Sequence, residues 1–293
     1  MTATLAGMEI RPASDDDLAA MSELASLLQA DPARAIPYLG VEAGAIEKEM
    51  TEVDWSSVSA LALDGDRLAG WLVGDVDDEL GRVFWLGPFL DAARWDEVAD
   101  LLYAGCAKSL PTAIAEEEMA IDSRFDQFQR WATSRGFVPG VGSLALVLEA
   151  DPEPAGVEVR HVRDDDLATL GALHEQLFPG THTTGRRLVE DRDEDHLRLV
   201  VEVDGSLAGY VAFDHQADGS GYLDFLGVAP EFRRRGLATA LVRSAIATLQ
   251  GRGAAPIHLT VREDNHGARS LYASSGFTET RLIRPLRKGF TLP

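Results

Sequence analysis

This chain of 293 residues has little cysteine, no long apolar run and few basic residues. These shortages argue against an internal disulfide, a membrane span and nucleic-acid binding, respectively. The single cysteine, Cys106, has no partner for an internal disulfide, so we expect a cytoplasmic, reducing environment. Its helical surroundings predict a small buried hydrophobe rather than a nucleophile. No apolar run reaches about 18 residues and residues 1–8 carry no basic region, so the sequence predicts neither a membrane span nor a signal peptide.

Acidic residues outnumber basic residues by 48 to 27, which gives a net charge of −21. The excess is concentrated in residues 1–150, which hold 27 acidic and 10 basic residues. A protein that binds nucleic acid needs a basic face to displace counterions, so the sequence predicts no such partner. The acidity fits either attraction of a cationic substrate or simple solubility.

The two halves of the chain repeat one pattern. Residues 8–18 and 157–167 resemble each other, because each alternates apolar and polar residues and then has an acidic cluster that starts a helix. After each come a helical region, two strands around a tight turn, a strand ending near a proline, a long amphipathic helix, a strand, a helix and Gly-Phe. The Gly-Phe pairs are residues 136–137 and 276–277, and the sequence therefore predicts two similar domains.

The linker Ala150–Gly156 separates the two repeats. Its two prolines and its glycine disfavour helices and strands, so it predicts a boundary between residues 1–150 and residues 151–293. The fold class expected for each part is α/β (α+β), with a mixed, mostly antiparallel sheet flanked by helices.

A turn in the second half has the features of an anion site. The strand Tyr222–Val228 leads into Arg233–Ala238 and then into the helix Thr239–Gln250. Unpaired N–H groups at a helix N-terminus suit a diphosphate, Gly236 permits close approach, and three arginines add positive charge. Taken alone, the pattern indicates no more than a solvated basic turn before an ordinary helix.

A second motif follows, and the two together resemble the GNAT superfamily of N-acetyltransferases. The matching residues are Val228-x-Pro230-x-x-Arg233-x-x-Gly236-x-Ala238 and Asn265-x-x-Ala268-x-x-Leu271-Tyr272-x-x-x-Gly276-Phe277. The resemblance covers about residues 157–285. It implies two tandem acyl-CoA N-acyltransferase-like domains, of which the second is catalytic.

The resemblance implies acetyl-CoA as the co-substrate, with no metal. The pantetheine arm would pair with a strand edge where two strands splay apart, and the turn would hold the diphosphate. The cofactor-binding residues expected are Leu226, Gly227, Val228, Arg233, Arg234, Arg235, Gly236, Leu237, Ala238, Thr239 and Asn265.

Acetylation of an amine needs one proton removed and one supplied. An amine with a pKa of about 10.4 must lose a proton before it attacks, and a departing thiolate with a pKa of about 8.5 gains from a donor. The resemblance puts Tyr272 at the thioester sulfur, so it is the expected general acid, although a core tyrosine beside Phe277 has the same spacing. The N–H of Val228 is the expected oxyanion donor.

Asp224 is the expected general base. It alternates with Leu223 and Phe225, so both hydrophobic residues are expected on one face and Asp224 on the other, next to the reaction centre. An exposed strand carboxylate fits the same pattern, and His215 and His182 are further candidates.

The resemblance implies that the acceptor lies at the first two helices of the second half and the connection between them. This connection, residues 177–187, is rich in hydroxyl groups. We expect Thr181, His182 and Arg187 to contact the acceptor, although a merely polar connector has the same composition.

The first half lacks the residues of both motifs. With the Gly-Phe pairs aligned, Ala132 replaces the tyrosine and Phe125 the asparagine; with the prolines aligned, Asp91, Arg94 and Asp96 fall in the diphosphate turn. Carboxylates there repel a diphosphate. The first half is therefore predicted to be a degenerate GNAT-like domain without the cofactor motif, and an unrelated α/β domain is the alternative.

The function expected is transfer of acetyl from acetyl-CoA to an amine of a small molecule or peptide, by direct attack in a ternary complex. Mycothiol synthase, which has a similar tandem layout, is one alternative, and a non-catalytic acyl-CoA-binding regulatory module is another. The only partner expected is the amine acceptor, with no nucleic acid and no membrane, for a cytoplasmic monomer or homodimer. No residue identifies the acceptor.

Overall fold

The structure, a computed structural model, describes residues 7–37, 39–150, 156–181, 183–191, 193–216 and 218–290, and these form two compact units. Unit 1 consists of the described residues up to Gly142 together with those from Leu282 onward. Unit 2 consists of the described residues from Ser143 to Arg281.

The helices and strands alternate in the same order in both halves of the chain. The first half contains β1 (Met8–Arg11), α1 (Leu18–Gln29), α2 (Ala43–Met50), β2 (Ser59–Asp64), β3 (Arg67–Asp77), β4 (Arg82–Leu90), α3 (Trp95–Cys106), β5 (Glu116–Asp122), α4 (Asp126–Thr133), β6 (Val138–Pro139) and β7 (Ser143–Leu148). The second half contains β8 (Arg160–His161), α5 (Leu167–Leu177), α6 (Gly185–Glu190), β9 (His196–Val203), β10 (Ser206–His215), β11 (Gly221–Val228), α7 (Leu237–Gly251), β12 (Ile257–Arg262), α8 (His266–Ser274) and β13 (Phe277–Lys288).

The sheet of unit 1 has the strand order β1-β2-β3-β4-β5-β13, where the last strand contributes residues 283–288. The pairing of β4 with β5 is parallel and the other pairings described in this sheet are antiparallel. Trp71, Trp85 and Trp131 are fully buried in its core. The indole N–H of Trp71 donates to the carbonyl of Met21 in α1 at 2.9 Å, which satisfies a polar group that would otherwise destabilise the core.

The sheet of unit 2 has the strand order β8-β9-β10-β11-β12-β7, and here β11 and β12 are the parallel pair. Two hydrophobic clusters form its core. The α7 cluster includes Val211, Phe213, Leu223, Leu241, Ile246, Leu259, Tyr272 and Phe277. The α5–α6 cluster includes Leu170, Leu173, Leu188, Tyr210, Ala212 and Phe225. The expected fold class is thereby confirmed.

Each unit contains, at one glycine, a close contact between two of its own strands. Gly70 in β3 and Gly209 in β10 both follow Leu-Ala. A Cβ at Gly70 would lie 2.1 Å from a side-chain atom of Leu90, and a Cβ at Gly209 would lie 2.7 Å from the carbonyl oxygen of Gly227. No other residue fits either position without movement of the neighbouring strand.

The boundaries of the compact units differ from the expected division at residue 150. β7 precedes that boundary, yet it pairs with β12 in unit 2. Residues 283–288 of β13 pair with β5 in unit 1. The sequence of the linker could not reveal these pairings, because the amino-acid composition of a strand does not identify the strand with which it pairs. Most of the linker, residues 151–155, lies outside the described residues.

Candidate functional site

The central feature of unit 2 is an opening between its two parallel strands. Residues 221–223 of β11 pair with residues 257–259 of β12. Beyond Leu223, no pairing between these strands is described, so residues 224–228 have an open edge. The hydroxyl of Tyr222 lies 2.9 Å from Oγ1 of Thr260, at the point where the pairing ends.

A β-bulge lies at the start of this open edge. Ala212 of β10 is opposite Phe225, but the next residue, Phe213, is opposite Leu223, which leaves Asp224 as the extra residue of β11. The expectation that Leu223 and Phe225 share one face is therefore wrong. Leu223 lies in the α7 cluster and Phe225 in the α5–α6 cluster, because a bulge interrupts the alternation of side chains.

Beyond the bulge, backbone groups alternate between β10 and the open edge. The N–H of Ala229 donates to Ala208 in β10, and the carbonyl of Gly227 also faces β10. The N–H and C=O groups of Leu226 and Val228 therefore face the open edge. A Cβ at Gly227 would lie 2.7 Å from the Tyr210 ring, so this glycine serves packing rather than presenting its backbone to the open edge.

The turn between β11 and α7 is held by its own arginines. Nε of Arg233 donates to the carbonyl of Val228 at 3.1 Å, and the guanidinium of Arg235 lies over the ring of Phe232 at 5.5 Å. Arg234 and Gly236 both have positive φ values, of 64° and 79°. Arg233 thus stabilises the turn, and the side chains of the other two arginines extend from an exposed loop.

The first turn of α7 presents free donors. The N–H groups of Leu237, Ala238 and Thr239 have no acceptor within the part of the chain that the structure describes, as is usual for the start of a helix. No acidic residue lies in this first turn. The positive end of the helix dipole is therefore available to an anion.

A pocket of about 420 Å³ next to this turn is unsuited to a phosphate. Four carboxylates line it, together with Phe232, Thr169 and the β9–β10 turn. Arg160 pairs with two of them, Asp166 and Glu202. The remaining two, Asp165 and Glu231, would repel an anion.

Asn265 and Tyr272 lie at the start and towards the end of α8. Asn265 is the N-cap of the helix, and its Oδ1 accepts from the N–H of Ala268 at 3.1 Å. This capping role was missed in the sequence, although asparagine is among the preferred N-cap residues. The side-chain oxygen is engaged there, which leaves the amide NH₂ to a ligand.

The ring of Tyr272 is buried against Phe277, with ring centroids 5.9 Å apart. Burial raises the pKa of Tyr272 to about 12. No atom of the described chain forms a hydrogen bond with its hydroxyl. The side chain thus fills the core, as the alternative interpretation expected, and carries a protonated hydroxyl with no intramolecular partner.

Asp224 lies among charged and polar groups of the neighbouring strand. Its charge acts on Tyr210 and on Asp214 of β10. Burial, and beyond it the charge of Asp224, raise the pKa of Asp214 to about 6 against the opposing effect of Arg198. Asp214 was missed in the sequence, because nothing in its local pattern separates it from an ordinary strand carboxylate.

His174 of α5, also missed, joins the predicted acceptor loop to the sheet. It is fully buried, with Nε2 2.9 Å from the carbonyl of Thr183 and Nδ1 2.6 Å from the hydroxyl of Tyr210. A carbonyl only accepts, so Nε2 carries the proton and Tyr210 donates to Nδ1. Phe178 and Phe225 pack around the imidazole, with centroids 5.4 and 4.7 Å away.

Of the three residues expected to contact the acceptor, the structure describes Thr181 and Arg187. The hydroxyl of Thr181 lies 3.1 Å from the carbonyls of Phe178 and Thr183, so it stabilises its own loop. Arg187 lies half-buried in α6, and His182 falls outside the described residues. His215, a further candidate for the general base, is the last residue of β10, and its Nδ1 lies 3.9 Å from Asp195.

In unit 1 the equivalent opening is filled by the chain itself. β4 and β5 also pair only over their first four residues. The guanidinium of Arg34 donates to the carbonyl of Leu90 at the end of β4, and the N–H of Asp122 in β5 donates to the carbonyl of Ala35. The space left beside Ile36 is about 10 Å³, roughly the size of one water molecule.

The segment that fills this opening is fixed by Gln29. The buried amide NH₂ of Gln29 lies 3.0 to 3.1 Å from the carbonyls of Ile36, Leu39 and Gly40, and its oxygen accepts from the N–H of Ile36 at 2.7 Å. A buried side chain with all its hydrogen bonds satisfied is costly to displace. The opening in unit 1 is therefore closed by a stable segment.

The start of α3 also differs from that of α7. Asp96 and Glu97 occupy its first turn, where they favour the helix but repel an anion. Asp91 pairs with Arg67 at 2.9 Å. Cys106 is fully buried with a raised thiol pKa, which confirms the expectation of a buried hydrophobe.

Two further features concern the described residues alone. No group of three or more His, Cys, Asp and Glu side chains there is arranged to hold a metal ion. None of the helices there combines the length and the apolarity needed to cross a bilayer.

Comparison with known proteins gives a family and a fold. The model of the acetyltransferase (GNAT) family matches residues 167–277. An acetyltransferase of Pectobacterium atrosepticum is 38% identical over 123 residues, which cover 40% of this chain and 84% of that protein.

Solved structures match the whole chain at low sequence identity. A GCN5-related N-acetyltransferase from Sphaerobacter thermophilus aligns with a TM-score of 0.79 at 19% identity, over 98% of this chain and 96% of its own. A tandem GNAT protein from the clavulanic acid biosynthesis pathway aligns with a TM-score of 0.71 at 15% identity, over 98% and 100%. At these identities the likeness concerns the fold.

Proposed function

The chain belongs to the GNAT family of acetyltransferases, and we propose that it moves an acetyl group from acetyl-CoA to a primary amine of a small molecule or peptide. One observation carries the proposal. The open edge of β11 leads directly into a turn and then into the free N–H groups at the start of α7. An extended arm that ends in a diphosphate, as in CoA, fits such a path.

The cofactor contacts proposed follow from the exposed backbone groups. Leu226 and Val228 would pair with the pantetheine arm, and the N–H groups of residues 237–239 would bind the diphosphate. Arg234 and Arg235 would add charge, and Gly236 would let the phosphates approach. The amide NH₂ of Asn265 would be a further donor to the arm.

Tyr272 is proposed as the donor to the departing sulfur. A phenol with a pKa of about 12 is fully protonated at neutral pH, so the proton is present when it is needed. Full transfer to a thiolate with a pKa of about 8.5 is unfavourable in water by about 5 kcal/mol. The hydroxyl therefore stabilises the developing thiolate by a hydrogen bond and keeps its own proton, and the sulfur takes the proton that the acylated nitrogen loses.

Asp224 is proposed as the base that takes a proton from the acceptor, directly or through water. The bulge supports this, because it turns Asp224 out of the regular pairing at the start of the open edge. The N–H of Val228 faces the same edge and would stabilise the oxyanion formed at the thioester carbonyl. Residues 178–181 and 183–184, of which Thr183 is bound by His174, would border the acceptor.

Unit 1 is proposed to lack acetyl transfer. The segment at residues 34–36 fills its opening, and acidic residues begin α3, so neither the arm nor the diphosphate has a place. Unit 2 would then carry the one active site of a cytoplasmic protein. The first part of the chain thus keeps its expected role as a degenerate domain and the second part its role as the catalytic domain. The boundaries proposed for these roles are those of the compact units.

The test is turnover by the full chain. We expect release of free thiol from acetyl-CoA in the presence of at least one member of a panel comprising a diamine, an amino sugar, an amino acid ester and a peptide with a free N-terminus. Tyr272→Phe should lower kcat while binding of acetyl-CoA persists. Tight acetyl-CoA binding with no thiol release from any amine would instead identify a regulatory acyl-CoA-binding module.

A further inference from the structure

One carbonyl of the open edge already has a donor. The carbonyl of Val228, a residue proposed to pair with the pantetheine arm, accepts a hydrogen bond from Nε of Arg233 at 3.1 Å. The donor is an exposed side chain of the turn after β11. Because Nε is bonded to both Cδ and Cζ, its neighbouring atoms flank the oxygen and take the space that an extended arm needs. Arg233 and the arm therefore compete for one acceptor.

The equivalent carbonyl in unit 1 is satisfied in the same way. Leu90 pairs with Gly70 in unit 1, and Val228 pairs in the same manner with the glycine that follows Leu-Ala in unit 2. The guanidinium of Arg34 donates to the carbonyl of Leu90 at 3.0 Å. Arginines from two different segments thus serve equivalent carbonyls, because each carbonyl faces an opening where no strand supplies a donor.

Arg233 has further donors that the chain does not use. In the part of the chain that the structure describes, its Nη1 and Nη2 make no hydrogen bond or ion pair. Four residues later, Leu237 begins α7 and the free N–H groups proposed for the diphosphate. A guanidinium binds a phosphate through two parallel hydrogen bonds between opposite charges, whereas the neutral carbonyl accepts a single bond from Nε. A diphosphate at α7 is therefore the stronger partner for Arg233.

We infer that Arg233 is a positioning residue that exchanges the carbonyl of Val228 for the diphosphate when acetyl-CoA binds, and so couples the two ends of the cofactor site. The inference rests on the proposed function and adds a device to the same site. Without cofactor, Arg233 satisfies the carbonyl and occupies the end of the open edge. Once its guanidinium is on the diphosphate, the carbonyl accepts from an amide N–H of the arm. Each end of the cofactor then raises the affinity for the other.

Arg234 provides a matched control in the same turn. It carries the same charge, and its guanidinium makes no hydrogen bond or ion pair with any of the described residues. Its φ of 64° costs alanine about as much as arginine, because both have a Cβ. Arg234→Ala thus removes one positive charge near the proposed diphosphate and leaves the contact at Val228 intact.

The first experiment separates the two ends of the cofactor. S-acetylpantetheine has the arm and the thioester without the diphosphate, and ADP has the diphosphate without the arm. The full chain should bind S-acetylpantetheine about threefold more tightly in saturating ADP, because Arg233 has then left the carbonyl. Arg233→Ala should bind it equally with and without ADP, at the higher affinity. Arg234→Ala should retain the threefold effect.

The second experiment needs only ADP and acetyl-CoA. The Nε–H group of Arg233 is observed by ¹⁵N NMR in the full chain, and its signal is assigned by its loss in Arg233→Lys. Both ADP and acetyl-CoA should shift this signal, since each replaces the carbonyl by a phosphate. A signal that keeps its position while acetyl-CoA saturates the protein would show that Arg233 stays on Val228, and would overturn the exchange.

Arg233→Lys also separates charge from the contact at the carbonyl. Lysine retains the positive charge for the diphosphate but has no Nε–H group in the chain of its side chain. Its affinity for acetyl-CoA should stay within about threefold of the wild-type value, whereas Arg233→Ala should lose roughly tenfold. For S-acetylpantetheine alone, both variants should bind about threefold more tightly than the wild type.

The exchange and the proposed function fail in different ways. Normal thiol release, together with a wild-type affinity for S-acetylpantetheine that ignores ADP, overturns the exchange alone. Weaker binding of both S-acetylpantetheine and acetyl-CoA by Arg233→Ala would assign Arg233 to the stability of the turn, which also overturns the exchange. Absence of acetyl-CoA binding to the wild-type chain overturns the proposed function, and the exchange with it.

Discussion

The hydroxyl of Tyr222 is 2.9 Å from Oγ1 of Thr260, and this contact joins β11 to β12 at the point where the two strands separate. Leu223 and Leu259 form the last described pair before the opening. The hydroxyl pair therefore fixes where the open edge begins, and with it the distance between Leu226 and the facing strand.

Tyr222→Phe should weaken both the fold and cofactor binding. Loss of one partly buried hydrogen bond reduces the free energy of unfolding by about 1 kcal/mol. A less fixed opening should reduce acetyl-CoA affinity roughly threefold, which corresponds to about 0.7 kcal/mol. Urea unfolding and calorimetric titration with acetyl-CoA measure the two effects. An unchanged affinity in both Tyr222→Phe and Thr260→Val would contradict the role given to this contact.

Gly236→Ala should separate backbone strain from anion binding when it is compared with Gly253→Ala. Both glycines have positive φ, 79° and 84°, and a Cβ at either meets open space. Each alanine should therefore cost a similar 1–2 kcal/mol, roughly, of folding free energy. Gly236 precedes the free donors of α7, whereas Gly253 follows the end of the helix.

Only Gly236→Ala should therefore also lower acetyl-CoA affinity, by roughly tenfold or more, since its methyl group stands where phosphate oxygens approach. Thermal unfolding gives the first quantity and equilibrium binding gives the second. Equal losses of affinity in the two variants would show that the effect comes from general destabilisation and not from the turn.

The parts of the site that the sequence predicted are those encoded by local rules. Gly236 precedes a helix and needs a positive φ, the residues after it have free N–H groups, and Tyr272 follows Asn265 at helical spacing. Each of these depends on residues close in sequence, so a single motif was sufficient to place them.

The parts that the sequence missed depend on neighbours far along the chain. Strict alternation could not predict the bulge at Asp224, because the extra residue is visible only against β10. Asp214 and His174 gain their chemistry from burial and from partners on other elements. For the same reason the sequence does not reveal that β7 belongs to unit 2 and residues 282–288 of β13 to unit 1.

Tyr272→Phe should reduce activity and leave stability nearly unchanged, because the hydroxyl has no hydrogen bond within the described chain. We expect kcat to fall roughly 10- to 100-fold. Burial raises the pKa of Tyr272 to about 12, so its ionisation removes no activity below a pH of about 11. A basic limb at lower pH that disappears in Tyr272→Phe would contradict this assignment.

Tyr103→Phe is the matched control for that variant. Burial also raises the pKa of Tyr103 to about 12, but its hydroxyl lies 2.6 Å from both Glu117 and Lys288. Its loss should therefore lower the unfolding free energy of unit 1 by about 1–3 kcal/mol. Turnover per folded molecule should stay at the wild-type level.

His174→Phe should affect the acceptor more than acetyl-CoA. The phenyl ring retains most of the apolar packing with Phe178 but loses both hydrogen bonds, so Thr183 is no longer linked to Tyr210. The KM for the amine should rise roughly tenfold, and the KM for acetyl-CoA should change much less. An equal rise in both values would indicate a general loss of structure in unit 2.

Leu146 and Leu286 test which strands complete each unit. Leu286 is fully buried in the core of unit 1, and Leu146, with 2% exposure, is buried in the α7 cluster of unit 2. Either Leu→Ala change should cost about 2–5 kcal/mol. All five tryptophans lie in unit 1, so their fluorescence reports its unfolding, and acetyl-CoA binding reports unit 2.

Leu286→Ala should therefore lower the melting temperature seen by tryptophan fluorescence, by roughly 10 °C for a unit of this size. Leu146→Ala should instead lower the temperature at which acetyl-CoA binding is lost, although Leu146 lies in the first half of the sequence. The reverse assignment of the two effects would favour a division at residue 150, because each half of the chain would then complete its own sheet.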